Sequence, residues 1–292
     1  MNKKQQVLTE LFKICKKRNN YVFHNDLVKK VSQKVGFGNP FDATKIDNKN
    51  KLPQILLDND FAVIHLGKGK HQFIKGINKV YHDFEPIQET IQWTYKKSLL
   101  NEYNSSESNI LSVANNQRIL HHFLFGKDTE LDSIDITLRP KTYFPHRTKT
   151  RFTYYFGKDL LIELEKIQIE IDLTIEFQGT IGIFECKNKK PDNFSVYQIC
   201  RPFSYYFNAN GKTELRGKIR EMLCYYVLRE KSKAHKTLRL LTYAFANSFG
   251  LTTIKFKIIN MGFFLRVELC AKSPYFAKHL TLQHLNQIKL SA

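Results

Sequence analysis

Cysteines, acidic residues and long apolar runs are all scarce in this sequence of 292 residues. The five cysteines include no CxxC pair, so neither a zinc ribbon nor a disulfide framework is supported. No apolar run approaches about 18 residues, and no transmembrane helix is expected. The sequence opens with Met1-Asn2-Lys3-Lys4 and has no apolar signal-peptide core after it, so we expect a cytoplasmic protein with no membrane partner.

The shortage of acids leaves a large positive charge. The chain has 27 Asp and Glu against 46 Lys and Arg, which gives a formal net charge of +19. With 42% hydrophobic residues it is too apolar to be a disordered basic tail. Such an excess is tolerable when the partner is a polyanion, whose counterions are released on binding. Nucleic acid is therefore the favoured partner, and an anionic membrane surface or plain solubility are the alternatives.

The first third of the sequence has the pattern of three helices followed by a hairpin. Apolar residues recur at helical spacing over 7–15, 27–35 and 52–57, and Asn25 is the predicted cap of the second helix. Two strands, 61–66 and 71–74, flank a glycine–lysine turn that lacks the full phosphate-loop pattern. This is the order of a winged helix, so residues 1–84 are predicted to be a winged-helix-like DNA-binding domain. A helical cap or a protein-contact module is the alternative.

Basic residues give the predicted DNA contacts. Winged helices usually contact DNA through the third helix and the wing, and lysines flank both here: Lys45, Lys49, Lys51, Lys68 and Lys70. Further contacts are predicted from a basic loop over 146–151, from the residues after position 187 and from the following helix: Arg147, Lys149, Lys189, Lys190 and Arg201. A solvated basic surface, or a helix salt bridge for Arg201, is the alternative.

Two acids and a lysine lie on neighbouring β-rich runs, 169–177 and 180–187. The break at Gln178-Gly179 has turn chemistry, so the runs are predicted to be adjacent antiparallel strands. Asp172 lies on the first strand, while Glu185 and Lys187 are two residues apart on the second and share a face of the sheet. Two carboxylates suit a hard cation such as Mg²⁺. A surface salt bridge on an exposed hairpin is the alternative.

Glu185-Cys186-Lys187, with Asp172 on the preceding strand, resembles the motif of the PD-(D/E)xK nuclease superfamily, to which many type II restriction endonucleases belong. The resemblance implies that Asp172 and Glu185 bind Mg²⁺ and that Lys187 orients or activates the attacking water. Ile171 stands where the family motif has Pro. A second tripeptide, 47–49, also fits (D/E)xK but lies in a polar stretch without strand character.

The resemblance also implies two site residues outside the hairpin. The next helix of the family usually carries a Gln or another polar group, and Gln198 has that position. An acid on an upstream helix often completes the site. Glu107, which opens a helix predicted to extend through Phe125, is the candidate, and its competitors are Glu163, Glu165 and Glu170.

The expected fold class is α/β (α+β). Residues 105–292 are predicted to form a restriction-endonuclease-like mixed sheet flanked by helices, and residues 85–104 a linker or bridging segment. After the hairpin we expect a helix that carries Gln198, a second helix over 214–229, and strands over 238–244, 253–259 and 262–269. Aromatic residues of the first of these helices are expected to pack on the sheet.

The expected function is a Mg²⁺-dependent, sequence-specific endonuclease of double-stranded DNA, of the type II restriction class. Such an enzyme implies a cognate DNA methyltransferase in the same system, and cleavage of a palindrome implies a homodimer. Three alternatives stay open: a repair, junction-resolving or homing nuclease, a winged-helix regulator with an inactive nuclease-like domain, and an RNA-binding or RNA-cleaving protein.

Overall fold

The computed structural model describes residues 1–84, 90–93, 99–100, 106–125, 139–156, 160–212, 214–231, 236–243, 245 and 265–268. These residues form a mixed α and β structure, as the sequence predicts. Most of the predicted linker and the predicted strand at 253–259 lie outside the described residues. Within the described ranges, no helix has the length and apolarity needed to cross a bilayer.

The N-terminal part contains the predicted helices and hairpin. Its elements are α1 (Lys3–Lys17), β1 (Val22–His24), α2 (Asn25–Val35), a 3-10 turn (Lys49–Lys51), α3 (Gln54–Asp58), β2 (Phe61–Gly67), β3 (Lys70–Lys75), α4 (Ile77–Val80) and β4 (Tyr81–Asp83). Strands β1, β3 and β2 form a small antiparallel sheet in that order. Strand β1 was not predicted, because three residues are too few to establish an alternating pattern.

Local chemistry sets the ends of the first two helices. Asn2 caps α1, where its side chain accepts from the Gln5 N–H and the Gln5 side chain accepts from the Asn2 N–H. Helix α2 ends at Gly36, whose φ of 69° suits a residue without a side chain. Asn25 begins α2 but does not cap it, because its side-chain oxygen accepts from the His71 ring instead.

The remaining elements build the central sheet and its supports. They are β5 (Thr90–Trp93), α5 (Glu107–Asn116), α6 (Ile119–Phe125), β6 (Lys141–Tyr143), β7 (His146–Phe156), β8 (Leu160–Ile171), β9 (Leu173–Phe177), β10 (Thr180–Lys187), β11 (Asn193–Ser195), α7 (Tyr197–Lys212), β12 (Glu221–Lys231), β13 (Lys236–Tyr243) and β14 (Leu265–Glu268). A five-stranded sheet has the order β13-β12-β10-β9-β6. Strands β10 and β12 are parallel, and the other neighbours in this sheet are antiparallel.

Two element predictions are wrong. The helix expected over 214–229 is largely strand β12, whose residues 223–228 are all buried because it lies between β10 and β13. The basic loop expected over 146–151 is part of β7, which pairs with β8 in a long hairpin. Residues on one face of β7 are buried or half-buried, including the aromatic residues at 152, 154 and 156, and those on the other face are exposed.

Two further predicted elements are each divided in two. The strand expected over 169–177 breaks at Asp172, so that β8 pairs with β7 while β9 pairs with β10 and β6. The helix expected over 107–125 breaks between α5 and α6, where Arg118 has a φ of 62°. A left-handed residue cannot continue an α-helix.

The central sheet carries a hydrophobic core on each face. Ile183 of β10 belongs to a core that also contains α7, the β7–β8 hairpin and the N-terminal helices, including Leu8 of α1. Phe184, the next residue, belongs to a second core with α5 and α6. Strand β10 is therefore held from both sides, and the N-terminal elements share one of its two cores.

The β2–β3 hairpin packs closely on β8. A Cβ atom on Gly67, which has a φ of 89°, would lie 1.9 Å from the carbonyl oxygen of Glu165. The β7–β8 register shifts at this level, and Lys166 has a φ of 52°. The close approach thus requires glycine at position 67 and an irregularity in β8.

Candidate active site

The three residues of the predicted motif meet at one end of β10. Strands β9 and β10 pair in antiparallel fashion as far as Leu173 and Phe184, so Asp172 and Glu185 follow directly at the end of the ladder. The Cys186 N–H donates to Asp172 Oδ2 at 2.9 Å. Lys187 Nζ donates to Glu185 Oε1 at 2.5 Å. The hairpin prediction for these residues is confirmed, with the difference that Asp172 lies between two strands.

A hydrogen-bonded chain extends the site toward α7 and β12. Gln198, in the first turn of α7, donates from Nε2 to Glu185 Oε1 at 2.7 Å. Its amide oxygen accepts from the Tyr226 hydroxyl at 2.9 Å. Tyr226 is opposite Glu185 in the parallel β10–β12 register and is fully buried. Gln198 therefore has the predicted position, while Tyr226 was missed because a helix was expected there.

Glu107 lies beside the site. It is the first residue of α5, which Ser106 caps, and its Oε1 accepts from the Asn188 N–H at 3.4 Å. The competing acids have other environments: Glu163 is exposed, Glu165 pairs with Lys68, and Glu170 pairs with Arg147. The negative charge of Glu107 contributes to raising the pKa of both Asp172 and Glu185.

Burial dominates the electrostatics of the two central acids. It raises the pKa of Asp172, and it raises the pKa of Glu185 to about 8, with Asp172 and Glu107 adding like charge. Burial alone would lower the pKa of Lys187, but the neighbouring Glu185 carboxylate and its hydrogen bond raise it. The site thus holds more negative charge than its single lysine balances.

The oxygen donors of the site fit a magnesium ion. Asp172 and Glu185 supply carboxylate oxygens, and the backbone carbonyl of Cys186, the residue after Glu185, is a third oxygen. Among the described residues, no cluster of three or more His, Cys, Asp and Glu has a spacing that would enclose a metal. Mg²⁺ does not require one, because it usually binds one or two carboxylates together with waters and substrate phosphates. A divalent cation would also offset the like charges that raise the two pKa values.

The second (D/E)xK tripeptide, residues 47–49, lies next to this site. The sequence did not predict this proximity. The backbone oxygen of Asp47 accepts from the Ser195 N–H at 3.0 Å, just before α7. The Lys49 N–H donates to Asn193 Oδ1 at 2.6 Å. Asp47 itself pairs with Lys51 at 2.6 Å. The N-terminal part therefore borders the candidate site through residues 47–51.

The basic residues of the N-terminal part have varied surroundings. Lys45 and Lys70 are exposed, Lys49 is half-buried, and Lys51 pairs with Asp47. Lys68 pairs with Glu165 at 2.5 Å, so the hairpin turn is tied to β8. The DNA contacts expected from these lysines stay predictions.

The basic residues of the C-terminal part also differ in environment. Arg147 and Lys149 are on the exposed face of β7, and Lys189 and Lys190 are exposed just after β10. Arg201 donates to the His65 carbonyl at 2.9 Å and stacks on the Tyr197 ring, 4.8 Å from its centroid. Its guanidinium group thus links α7 to the N-terminal hairpin.

Comparison with known proteins gives a family for the chain. Residues 76–258 match the family described as Domain of unknown function (DUF6997), and residues 5–73 match a second one, Domain of unknown function (DUF6996). The chain therefore belongs to the DUF6997 family. No curated protein and no solved structure matches it.

Proposed function

We propose that this protein is a Mg²⁺-dependent, sequence-specific endonuclease of double-stranded DNA, of the type II restriction class within the PD-(D/E)xK superfamily. The observation that carries the proposal is the meeting of Asp172, Glu185 and Lys187 at the end of β10. Three buried or half-buried ionisable groups of this kind are costly in a fold unless a ligand or a reaction uses them. The net charge of +19 supports a polyanionic substrate.

The proposed reaction is hydrolysis of a phosphodiester bond. Mg²⁺ bound by Asp172 and Glu185 would supply positive charge at the phosphate and lower the pKa of a coordinated water. Lys187 keeps its proton at neutral pH, because its ordinary pKa of 10.5 is raised further by the acids around it, Glu185, Glu107 and Asp172, against the effect of burial. Its ammonium group can hold the attacking water and offset negative charge that develops on the phosphate. Gln198 orients the Glu185 carboxylate through its 2.7 Å hydrogen bond.

For the N-terminal residues we propose a winged-helix-like module that reads DNA. The element order supports this: α1, β1, α2, α3, β2 and β3 give helix, strand, two helices and a two-stranded wing. Helix α3 has only five residues, and the segment 47–51 before it borders the candidate site. DNA held by this module would therefore lie close to the scissile phosphate.

The biological setting is part of the same proposal. A restriction enzyme acts in the cytoplasm beside a cognate DNA methyltransferase that protects the host sequence. Cleavage of a palindromic target would involve a homodimer, whose two-fold symmetry matches that of the site.

The test is a cleavage assay on unmethylated plasmid and phage DNA, with Mg²⁺ or with a chelator. We expect discrete fragments with Mg²⁺ only, and loss of cleavage without loss of DNA binding in Asp172→Ala. Salt-sensitive binding without cleavage by the wild type would favour a DNA-binding regulator instead. Cleavage that is confined to branched or damaged DNA would indicate a repair or junction nuclease.

A further inference from the structure

A short aromatic turn lies directly beside Asp172. Strand β6 ends at Tyr143, which pairs with Thr174, and β7 begins at His146, which pairs with Ile171. Both pairings follow one register, which continues across residues 144 and 145, so Pro145 lies opposite Asp172. Opposed residues of an antiparallel pair have Cα atoms about 5 Å apart. Residues 143–145, here named the aromatic tip, therefore flank the proposed metal-binding acid.

The exposure of the aromatic tip is unusual for its composition. Phe144 is 78% exposed and Tyr143 50%, and Pro145 is exposed as well. Among the described residues, Leu99 is the only large hydrophobic side chain more exposed than Phe144. Isolated exposed apolar residues need no explanation, but two adjacent aromatic rings at the edge of a polar site do.

Paired strand residues on both sides fix the position of the aromatic tip. Pro145 has no N–H to donate, so the β-ladder is interrupted at the level of Asp172 and resumes at His146. Adjacent residues of an extended chain project to opposite sides, so Tyr143 and Phe144 point in different directions. Tyr143 is opposite Thr174, whose hydroxyl lies 3.1 Å from that of Tyr206, so Tyr143 is on the side of the strand that faces α7. Phe144 is left as the outward ring.

We propose that the aromatic tip stacks on a nucleobase next to the scissile phosphate, with Phe144 as the stacking residue. The inference rests on the proposed nuclease function. A flat aromatic ring binds the face of any base. Two exposed cations follow the tip on β7: Lys149, and Arg147, which also pairs with Glu170. An apolar ring inserted beside a base step also unstacks the duplex locally, which would expose the phosphate to Asp172 and Lys187.

The test uses a short duplex that spans the mapped cut, with 2-aminopurine at each position around the scissile phosphate and chelator to prevent cleavage. We expect the wild type to change the fluorescence at one or two positions. Phe144→Ala should lose that change and bind on the order of tenfold more weakly, while Phe144→Tyr should retain both. The matched control is Tyr155→Ala, which alters an aromatic residue at the far end of β7 that is 47% exposed.

Several outcomes would overturn the inference. Phe144→Ala with unchanged fluorescence and affinity would do so, and so would an equal loss in Tyr155→Ala. A change in oligomeric state without a change in the base signal would assign the aromatic tip to contact with a second copy of the chain. If the wild type cuts nothing, the same variants are compared on a random-sequence duplex at low salt, which tests stacking separately from cleavage. Circular dichroism checks that each variant is folded.

Discussion

Two tripeptides of this chain fit the pattern (D/E)xK, and their surroundings give them opposite electrostatics. Glu185-Cys186-Lys187 ends a central strand, where the Glu185 side chain is only 12% exposed. Asp47-Asn48-Lys49 runs into a 3-10 turn, and the Asp47 side chain is 49% exposed. Hydrogen bonds between residues 47–49 and residues 193–195 bring the two tripeptides to neighbouring positions.

The difference appears in the pKa of each acid. Burial raises the pKa of Glu185 to about 8 despite the attraction of Lys187. Burial alone would also raise the pKa of Asp47, but the hydrogen bond and the charge of Lys51 outweigh it, so the pKa of Asp47 is lowered. Asp47 is thus a satisfied surface ion pair, whereas Glu185 is a buried acid whose charged form stays disfavoured although Lys187 pairs with it. The two tripeptides therefore differ in the burial of the acid and not in the motif, and only the first lies at the end of a buried strand.

The largest expected effect comes from exchanging each acid for its amide. Glu185→Gln removes a proposed metal ligand and should lower the cleavage rate on the order of a thousandfold, since metal stabilisation is worth several kcal/mol. Asp47→Asn should leave the cleavage rate within about threefold of wild type, because the group is exposed and paired. Single-turnover cleavage measures both. An equal loss of cleavage rate in the two variants would contradict the proposal that only the first tripeptide is catalytic.

Magnesium binding should depend on pH through Glu185. Below pH about 8 this carboxyl group retains its proton, and the metal must displace it. The apparent Mg²⁺ affinity should therefore rise with pH, by up to about tenfold per unit, and level off above pH about 8. The stability of the metal-free protein should change with pH in the opposite direction. The raised pKa of Glu185 contributes stability that is fully present below the ordinary pKa of 4.5 and is lost as the pH rises through about 8.

Thermal unfolding with and without Mg²⁺ across this pH range measures both trends. Glu185→Gln is the control and should flatten them. A magnesium affinity independent of pH in the wild type would show that Glu185 does not bind the metal as an ionised group.

Two adjacent tyrosines sharpen the comparison within the buried site. Tyr226→Phe leaves the amide oxygen of Gln198 without its hydrogen bond, at a cost of about 1 to 3 kcal/mol, and should lower cleavage about tenfold. It should also shift the pH midpoint of magnesium binding, because Gln198 positions Glu185. Tyr225→Phe, on the opposite face of β12, should leave that midpoint unchanged. A shift in both variants would indicate a general loss of stability in β12.

The smallest effect is expected at the surface pair of the other tripeptide. Lys51→Ala removes the partner of Asp47, and an exposed pair of this kind is worth about 0 to 1 kcal/mol. The lowered pKa of Asp47 gives stability that is present at neutral pH and lost as pH falls into the acid range. Denaturant unfolding at neutral and acid pH measures it. A loss above about 2 kcal/mol would mean that residues 47–51 hold the N-terminal part to the site.

The core of the candidate site could be predicted from sequence for a physical reason. Strand alternation and a two-residue turn are local, and they fix which of Asp172, Glu185 and Lys187 share a face. Strand β12 could not be predicted in this way, because residues 223–228 are apolar at every position and such a run is compatible with helix or strand. Tyr226 was missed with it.

Contacts between distant parts of the chain also could not be predicted from local sequence patterns. The break at Asp172 coincides with Pro145 on the opposite strand, and nothing within 169–177 indicates it. The approach of Asp47 to the site depends on Asn193 and Ser195, nearly half the chain away. The lack of strand character around the second tripeptide was correctly predicted, but its position beside the candidate site is a result of tertiary packing.

The most direct test of the central claim is a paired lysine substitution, Lys187→Ala and Lys49→Ala, assayed for Mg²⁺-dependent cleavage of the same unmethylated DNA. Both lysines are the third residue of a (D/E)xK tripeptide, and they lie in neighbouring segments. The account predicts discrete fragments with wild type and Lys49→Ala, and none with Lys187→Ala. Cleavage by Lys187→Ala at the wild-type rate would contradict it.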